Sequence, residues 1–404
     1  MPLQDERTST AIYSTERTPL LSCELMDEQA AAVSVPLGCI ELHQDPSTGL
    51  ISNIFYDEKT QLFSPRYVGS QHASARFNLY CAQLSKQLSS RHQLRGKTVL
   101  EVGCGDGSFL EILSESAQCN AIGIDPACTP MDRTHKDSRV SLLPLKLEAL
   151  ALRLESEPDL APKIDLIICR HTLEHIEDCA GFLRQIRKLM DRDRGTALYL
   201  DVPDARRIFQ EGAFWDIYYE HCHYFTPQSL TNVFAVADLY ISDMACHFDS
   251  QYITVTAHCE DTGFTALPDQ LPDDLSAGFM AQTESWQRWF AADRGRKTVL
   301  WGGGSKAVSF ISTLQLNEEI SAIVDINSLK QKCFLPGSGH RIVAPEDLLT
   351  LQPDFVIVMN PAYKMEVRAK LMELGLNPAL LALGADLQTN TGGSSSPVAP
   401  VQGA

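Results

Sequence analysis

The sequence predicts an α/β protein made of two units of parallel sheet with helices on both faces, the first unit larger than the second. Two observations carry that expectation. From Gly96 to about His258, short apolar runs alternate with amphipathic ones (KTVLEVG, SFLEILSES, AIGID, IDLIICRH, AGFLRQIRKLM, TALYLDVP), the strand–helix alternation that builds a parallel sheet. A second alternation starts at RKTVLWGGGSKAVSF and continues through SAIVDIN and PDFVIVMN to ALLALGA. The length of 404 residues also exceeds what one hydrophobic core usually serves.

In chain order, residues 1–38 are polar and lack a sustained period, so they read as a loose extension. Residues 39–95 end in SARFNLYCAQLSKQL, where Phe77, Tyr80, Leu84 and Leu88 recur at helical spacing, and this helix is expected to cover one edge of the next domain. The first α/β domain spans 96–262. A helical linker at 263–295 contains Trp286 and Trp289, and the second α/β unit spans 296–387. Residues 388–404 (NTGGSSSPVAPVQGA and its flanks) have the Ser/Gly/Pro composition of a flexible tail.

Composition narrows the function classes. Apolar residues at 44% and charged residues at 21% are ordinary globular values. A formal net charge of −17 disfavours a nucleic-acid partner, because phosphate contacts need clustered Lys and Arg. The twelve cysteines include no C-x-x-C pair, and several lie in apolar runs, as Cys169 does in IDLIICRH. They are expected to be reduced thiols, with no disulfide framework, in a cytoplasmic protein. MPLQDERTST lacks a secretion signal, and no stretch has the roughly 18 consecutive apolar residues of a membrane span, so no membrane partner is expected.

The strongest local signal is VLEVGCGDGSFL, a strand entering Glu101-x-Gly103-x-Gly105-Asp106-Gly107 and then a helix, with Asp125 ending the next strand. Glycines let the backbone turn tightly beside a ligand, and the helix N-terminus presents unpaired N–H groups. An acidic side chain about twenty residues on can accept ribose hydroxyls. A dinucleotide would use a similar turn, but its fingerprint is G-x-G-x-x-G, whereas the run here is G-x-G-x-G. Glu101 would also repel a pyrophosphate and attract the positive charges of S-adenosylmethionine. The expected cofactor is therefore S-adenosylmethionine, and a packing turn without ligand is the bland alternative.

Two further segments belong at the mouth of such a sheet. ICRHTLEHI ends a strand and starts a helix, which would put His171 and His175 on one helix face. Arg170 and His171 are expected at the cofactor and His175 at the substrate. GAFWDIYYEHCHYFTP packs Tyr218, Glu220, His221, His223 and Tyr224 into seven residues. Methyl transfer to carbon needs a base that removes a proton next to a carbonyl, and histidine suits that task near neutral pH. His221 is the candidate base, with Tyr218 and Glu220 beside it. A hydrogen-bonded structural cluster is the plain alternative. A metal site using His221, His223 and His171, His175 or Glu220 is a further rival, but no familiar metal spacing occurs, so no metal is expected.

With these residues in place the chain resembles the sugar C-methyltransferases, enzymes that methylate carbon on nucleotide-linked deoxysugars, including ketosugars next to the carbonyl. The resemblance covers roughly Tyr56 to Leu387 and rests on RYVGSQHAS, VLEVGCGDGSFL, RHTLEHI, DVPDARRIFQEGAFWDIYYEHCHYFTP, WGGGSKAVSF and PDFVIVMNP. It implies a class I S-adenosylmethionine methyltransferase domain followed by a smaller Rossmann-like domain. The family's Tyr-x-Glu-His and Tyr-Phe motif falls on Tyr218, Glu220, His221, Tyr224 and Phe225, with the histidine as proposed base. Tyr67 matches a tyrosine of the family's substrate pocket. Relatives usually open with four zinc-binding cysteines, whereas only Cys23 and Cys39 precede the first helix here, so zinc is not expected.

The second unit carries Gly302-x-Gly304-x-x-Ala307, which satisfies a relaxed dinucleotide fingerprint, with Asp325 at the end of the next strand. The resemblance implies no redox cofactor there, and a role in holding the acceptor's nucleotide-diphosphate group. Lys306 beside the helix start suits a phosphate, and Lys330 or Lys332 could assist. The expected partner is thus a small-molecule acceptor of the nucleotide-sugar type. Methylation of oxygen or nitrogen on a non-sugar metabolite, and a non-catalytic nucleotide-binding module, are the alternatives.

Overall fold

The computed structural model describes residues 11–384 except 62–63, 65, 129–138, 157–162, 267 and 293; the expected C-terminal tail lies outside the described residues. The chain begins β1 (Tyr13–Pro19), α1 (Gln29–Val33), β2 (Leu37–Gln44), β3 (Ile51–Asn53) and α2 (Ala75–His92). It continues β4 (Thr98–Val102), α3 (Ser108–Ala117), β5 (Asn120–Ile124), β6 (Val140–Leu143), α4 (Leu147–Ser156), β7 (Leu166–Arg170), α5 (Cys179–Leu189) and β8 (Ala197–Pro203). Then come α6 (Ala205–Glu211), β9 (His223–Tyr224), α7 (Pro227–Val236), β10 (Tyr240–His247) and β11 (Tyr252–His258).

The central sheet runs β10-β11-β8-β7-β4-β5-β6, parallel except for β11, which is antiparallel to both β8 and β10. The order reverses between β4 and β7, the switch point at which open α/β sheets bind ligands. Residues at alternate positions face opposite sides of a strand. Val99, Leu166, Ile168, Ala197 and Tyr199 therefore pack under α2 and α3, against Phe77, Leu84, Leu88 and Phe109. Leu100, Val102, Ile167, Leu198 and Leu200 pack on the other face with α5 and α7. The α2 helix thus covers a sheet face, where the sequence suggested an edge.

A smaller unit follows α8 (Ala277–Ala292). Its strands and helices are β12 (Thr298–Trp301), α9 (Ser305–Leu314), β13 (Ile320–Val324), β14 (Ile342–Val343), α10 (Leu348–Leu351), β15 (Phe355–Val358), α11 (Lys364–Glu373) and β16 (Ala379–Ala382). The sheet is fully parallel in the order β14-β13-β12-β15-β16.

Residues 11–38 are not a loose extension. β1 pairs with β2, and the antiparallel order β1-β2-β3-β9 carries that sheet to His223 and Tyr224. Tyr13, Ile40, Leu42 and Ile51 share one buried cluster with Phe209, Phe214 and Trp215, with Trp286 of α8 and Phe310 of α9. The burial comes from residues far away in sequence, which is why no local periodicity announced it.

Candidate active site

Gly103, Gly105 and Gly107 all take positive φ, at 75°, 55° and 76°. At Gly103 any side chain would collide with Thr172, whereas a Cβ on Gly105 would meet nothing within 4 Å. The turn is therefore closed underneath and open above. Asp125 braces it: Oδ2 accepts from the Gly105 N–H at 3.1 Å and Oδ1 from the Ala127 N–H at 2.8 Å. Each oxygen keeps a lone pair for a ribose hydroxyl. Asp106 accepts the Ser108 N–H at 3.0 Å, just ahead of Gly107, the N-cap of α3. Gly103, Gly105, Asp106, Gly107 and Asp125 are thus brought together at one helix N-terminus, a geometry that fits an adenosyl cofactor.

Beneath the turn lies a polar floor. Glu101, Arg170 and Asp201 point to the same face of β4, β7 and β8, and all three are buried. Arg170 Nε donates to Asp201 Oδ2 at 3.1 Å, and the guanidinium stacks over Phe109 at 4.2 Å. Burial pushes Glu101 up from 4.5 to about 8, with Arg170 opposing the shift. At neutral pH Glu101 is largely protonated, so it is not the open negative charge that the sequence suggested. Glu101 Oε2 and Arg170 Nη2 are buried without a hydrogen-bond partner. Asp201 was overlooked in the sequence, although its place at the end of strand TALYLDVP marked it.

His171 and His175 do not share a helix face. His171 has a φ of 48°, a left-handed conformation that cannot begin a helix, and its N–H is held by Asp201 Oδ1 at 2.9 Å. The helix that follows is one 3-10 turn, Leu173–His175. This loop has a different use: Thr172 touches the glycine turn at Gly103, and Glu174 and His175 reach His221.

His221 is buried, with the His175 ring centroid 4.8 Å away edge-on and the Tyr218 ring at 4.2 Å. Burial, with His175 and His171 nearby, holds its pKa well below the ordinary 6.5, so the imidazole is neutral at physiological pH. His175 is pinned by Nδ1 to the Glu220 carbonyl at 2.8 Å, and its own carbonyl accepts from Tyr56 OH at 2.9 Å. Tyr224 is buried, its hydroxyl donating to the Tyr218 carbonyl at 3.5 Å.

The Glu220 carboxyl is tied to the N-terminal segment and to Tyr67. Its Oε1 accepts from the Ser22 N–H at 2.5 Å, from Ser22 Oγ at 2.6 Å and from Tyr67 OH at 3.2 Å, so it anchors the N-terminal segment. Ser22 Oγ and Ser305 Oγ, at the start of α9, also share a hydrogen bond at 2.6 Å. Neither serine carried a sequence signal, since Ser22 lies in the stretch read as loose.

Lys306 does not present a phosphate site. Its Nζ pairs with Asp216 Oδ1, while Asp216 Oδ2 accepts from Arg207 at 2.5 Å. The residue therefore docks the second unit onto the first through charges withdrawn from water. Lys330 is likewise engaged, donating to the Gly303 carbonyl at 3.0 Å.

The strand order, the open glycine turn and its aspartate define a class I S-adenosylmethionine-dependent methyltransferase. Sequence comparison agrees: a methyltransferase domain model matches residues 72–242, and a C-methyltransferase C-terminal domain model matches residues 289–377. The chain thus pairs a methyltransferase domain with a C-methyltransferase C-terminal domain. C-methyltransferase NovU of Streptomyces niveus is 24% identical over 296 residues, 67% of this chain and 68% of that protein. A ubiquinone biosynthesis O-methyltransferase of Actinobacillus pleuropneumoniae is 31% identical over 103 residues, 25% of this chain and 44% of that enzyme. Among solved structures, a Burkholderia thailandensis 1,6-didemethyltoxoflavin-N1-methyltransferase aligns with 55% of this chain and 99% of its own, at 14% identity and a TM-score of 0.34. Among the described residues, no helix is long and apolar enough to cross a membrane.

Proposed function

We propose that this methyltransferase transfers its methyl group to a carbon next to a carbonyl, on a nucleotide-linked ketosugar or a related small intermediate, with His221 as general base. The observation that carries the reading is the loop 171–175, which touches the glycine turn with Thr172 and the His221 pocket with Glu174 and His175. Bound S-adenosylmethionine supplies an electrophilic methyl on a sulfonium. The protein's task is then to expose a carbon nucleophile. A neutral, buried imidazole takes the proton, the electron pair passes into the enolate, and the hydroxyl of Tyr218 can donate to the enolate oxygen. Similarity to NovU and to the C-methyltransferase C-terminal domain supports carbon over oxygen as acceptor. A cytoplasmic role in natural-product biosynthesis accords with this substrate class.

The test is a panel of nucleotide-linked ketosugars with S-adenosylmethionine, scored by S-adenosylhomocysteine release and product NMR. A new C–CH3 signal is expected, and His221→Ala should abolish it while leaving cofactor affinity within about 2-fold. An O–CH3 or N–CH3 product would replace this reading with heteroatom methylation.

A further inference from the structure

Glu174 has been given no chemical role in that reading, yet it is one of the most deeply buried polar side chains in the pocket, at 1% exposure. Its Oε1 lies 4.0 Å from His221 Nε2, and Oε2 has no hydrogen-bond partner. The backbone holds it there. The Glu174 carbonyl accepts from the Cys222 N–H at 2.9 Å and from Cys222 Sγ at 3.3 Å. In return the Glu220 carbonyl accepts from His175. Two chain segments are thus stitched together on both sides of the Glu174–His221 contact.

A metal ion is the first alternative, because Glu174, His175 and His221 place one donor atom each within 4.8 Å of one another. Donors held about 2.0–2.2 Å from a tetrahedral zinc lie only about 3.4 Å apart. The stitched backbone opposes that contraction, and ligation would consume the lone pairs that a base requires.

We infer that Glu174 is a positioning residue for His221: its carboxylate receives the Nε2–H, leaving Nδ1 to take the substrate proton, and it balances the imidazolium that forms. This inference rests on the reading of His221 as base. No further reactant is needed, since the proton moves from carbon to Nδ1 and the electron pair stays on the substrate. The 4.0 Å separation has to close by about 1 Å as charge develops, and catalytic contacts are commonly long before the reactive complex forms. Around the pair stand His171 and His175 from the loop after β7, Asp201 from β8, and Tyr218, Glu220, Cys222 and Tyr224 from the 218–224 segment. Burial holds Glu174 well above 4.5 and His221 well below 6.5. The pair therefore titrates as a unit, and its shared proton must leave before His221 can act.

Histidine-selective 15N NMR on the full chain, with His221 assigned by His221→Asn, tests the inference without any substrate. The wild-type ring should be the Nε2–H tautomer. Glu174→Gln keeps an acceptor but removes the charge, so the tautomer should persist while the titration midpoint falls by about one pH unit or more. Glu174→Met removes both, so the tautomer preference should also be lost. A midpoint in Glu174→Gln within about 0.2 units of wild type would overturn the inference. If neither variant folds by circular dichroism, the 13C carboxyl signal of Glu174 is followed in wild type and His221→Asn, and an unmoved midpoint there overturns it equally. Turnover that survives His221→Ala would instead refute the base itself, which these spectra leave separate.

Discussion

The molecule contains two glycine-rich turns braced by an aspartate in the same way, and the two have opposite fates. At Gly105 and again at Gly303, a backbone N–H donates to the far oxygen of an aspartate ending the next strand, at 3.1 Å to Asp125 and 2.8 Å to Asp325. In both, the near oxygen accepts from the N–H two residues on, at 2.8 Å from Ala127 and from Asn327. The surroundings differ. Asp125 is half-buried and Gly105 faces open space, whereas Asp325 is buried, Lys330 Nζ stands 3.9 Å from it, and Gly304 faces Lys330 and Cys23. The start of α9 receives Ser22 of the N-terminal segment, a place that a phosphate would otherwise take. A glycine-rich turn is therefore a scaffold whose function depends on what the rest of the chain puts in its mouth.

That contrast can be attacked from several sides. The largest effect should come from the docking pair: Lys306→Ala should cost about 2 to 3 kcal/mol in urea unfolding, because it leaves the buried Asp216 with Arg207 alone to offset its charge, yet leave cofactor affinity unchanged. An intact protein that lost only acceptor binding would restore Lys306 to a ligand site. Next, Asp125→Ala should weaken S-adenosylmethionine binding about 30- to 100-fold by calorimetry, whereas Asp325→Ala should leave it untouched. Equal losses would mean that the second turn also serves the cofactor.

The polar floor offers a pH test. Glu101 has its proton held to about pH 8 in the folded chain and releases it near 4.5 when unfolded. Its contribution to stability is thus complete below about pH 4.5 and gone by about pH 8. Glu101→Gln should flatten the decline in unfolding free energy across that window, and an unchanged slope would remove the buried-acid interpretation. The smallest effect belongs to the N-terminal anchor. Ser305→Ala should cost about 1 kcal/mol and raise hydrogen exchange around Ser22, with little change near Gly105.

Much of this architecture was legible because strand–helix alternation and a glycine spacing are local features. VLEVGCGDGSFL and WGGGSKAVSF announced both turns, and Tyr218 and His221 were visible as a dense run in one segment. What escaped notice depends on distant partners. Lys306 looked like a phosphate ligand because Asp216, ninety positions earlier, could not be seen beside it. Residues 11–38 looked loose because their apolar partners lie in the 205–219 segment, α8 and α9. His171 looked helical because periodicity does not reveal a left-handed φ. Glu174 lies within RHTLEHI, but nothing in that run distinguishes it from a solvent-facing helix residue.

The most direct measurement is a crystal structure of the full chain with S-adenosylhomocysteine and a ketosugar nucleotide. The account predicts that the nucleoside lies over Gly105 with its ribose on Asp125, and that the sulfur and His221 open onto one shared cavity holding the acceptor carbon. A sulfur separated from His221 by packed protein, with the acceptor bound elsewhere, would contradict it.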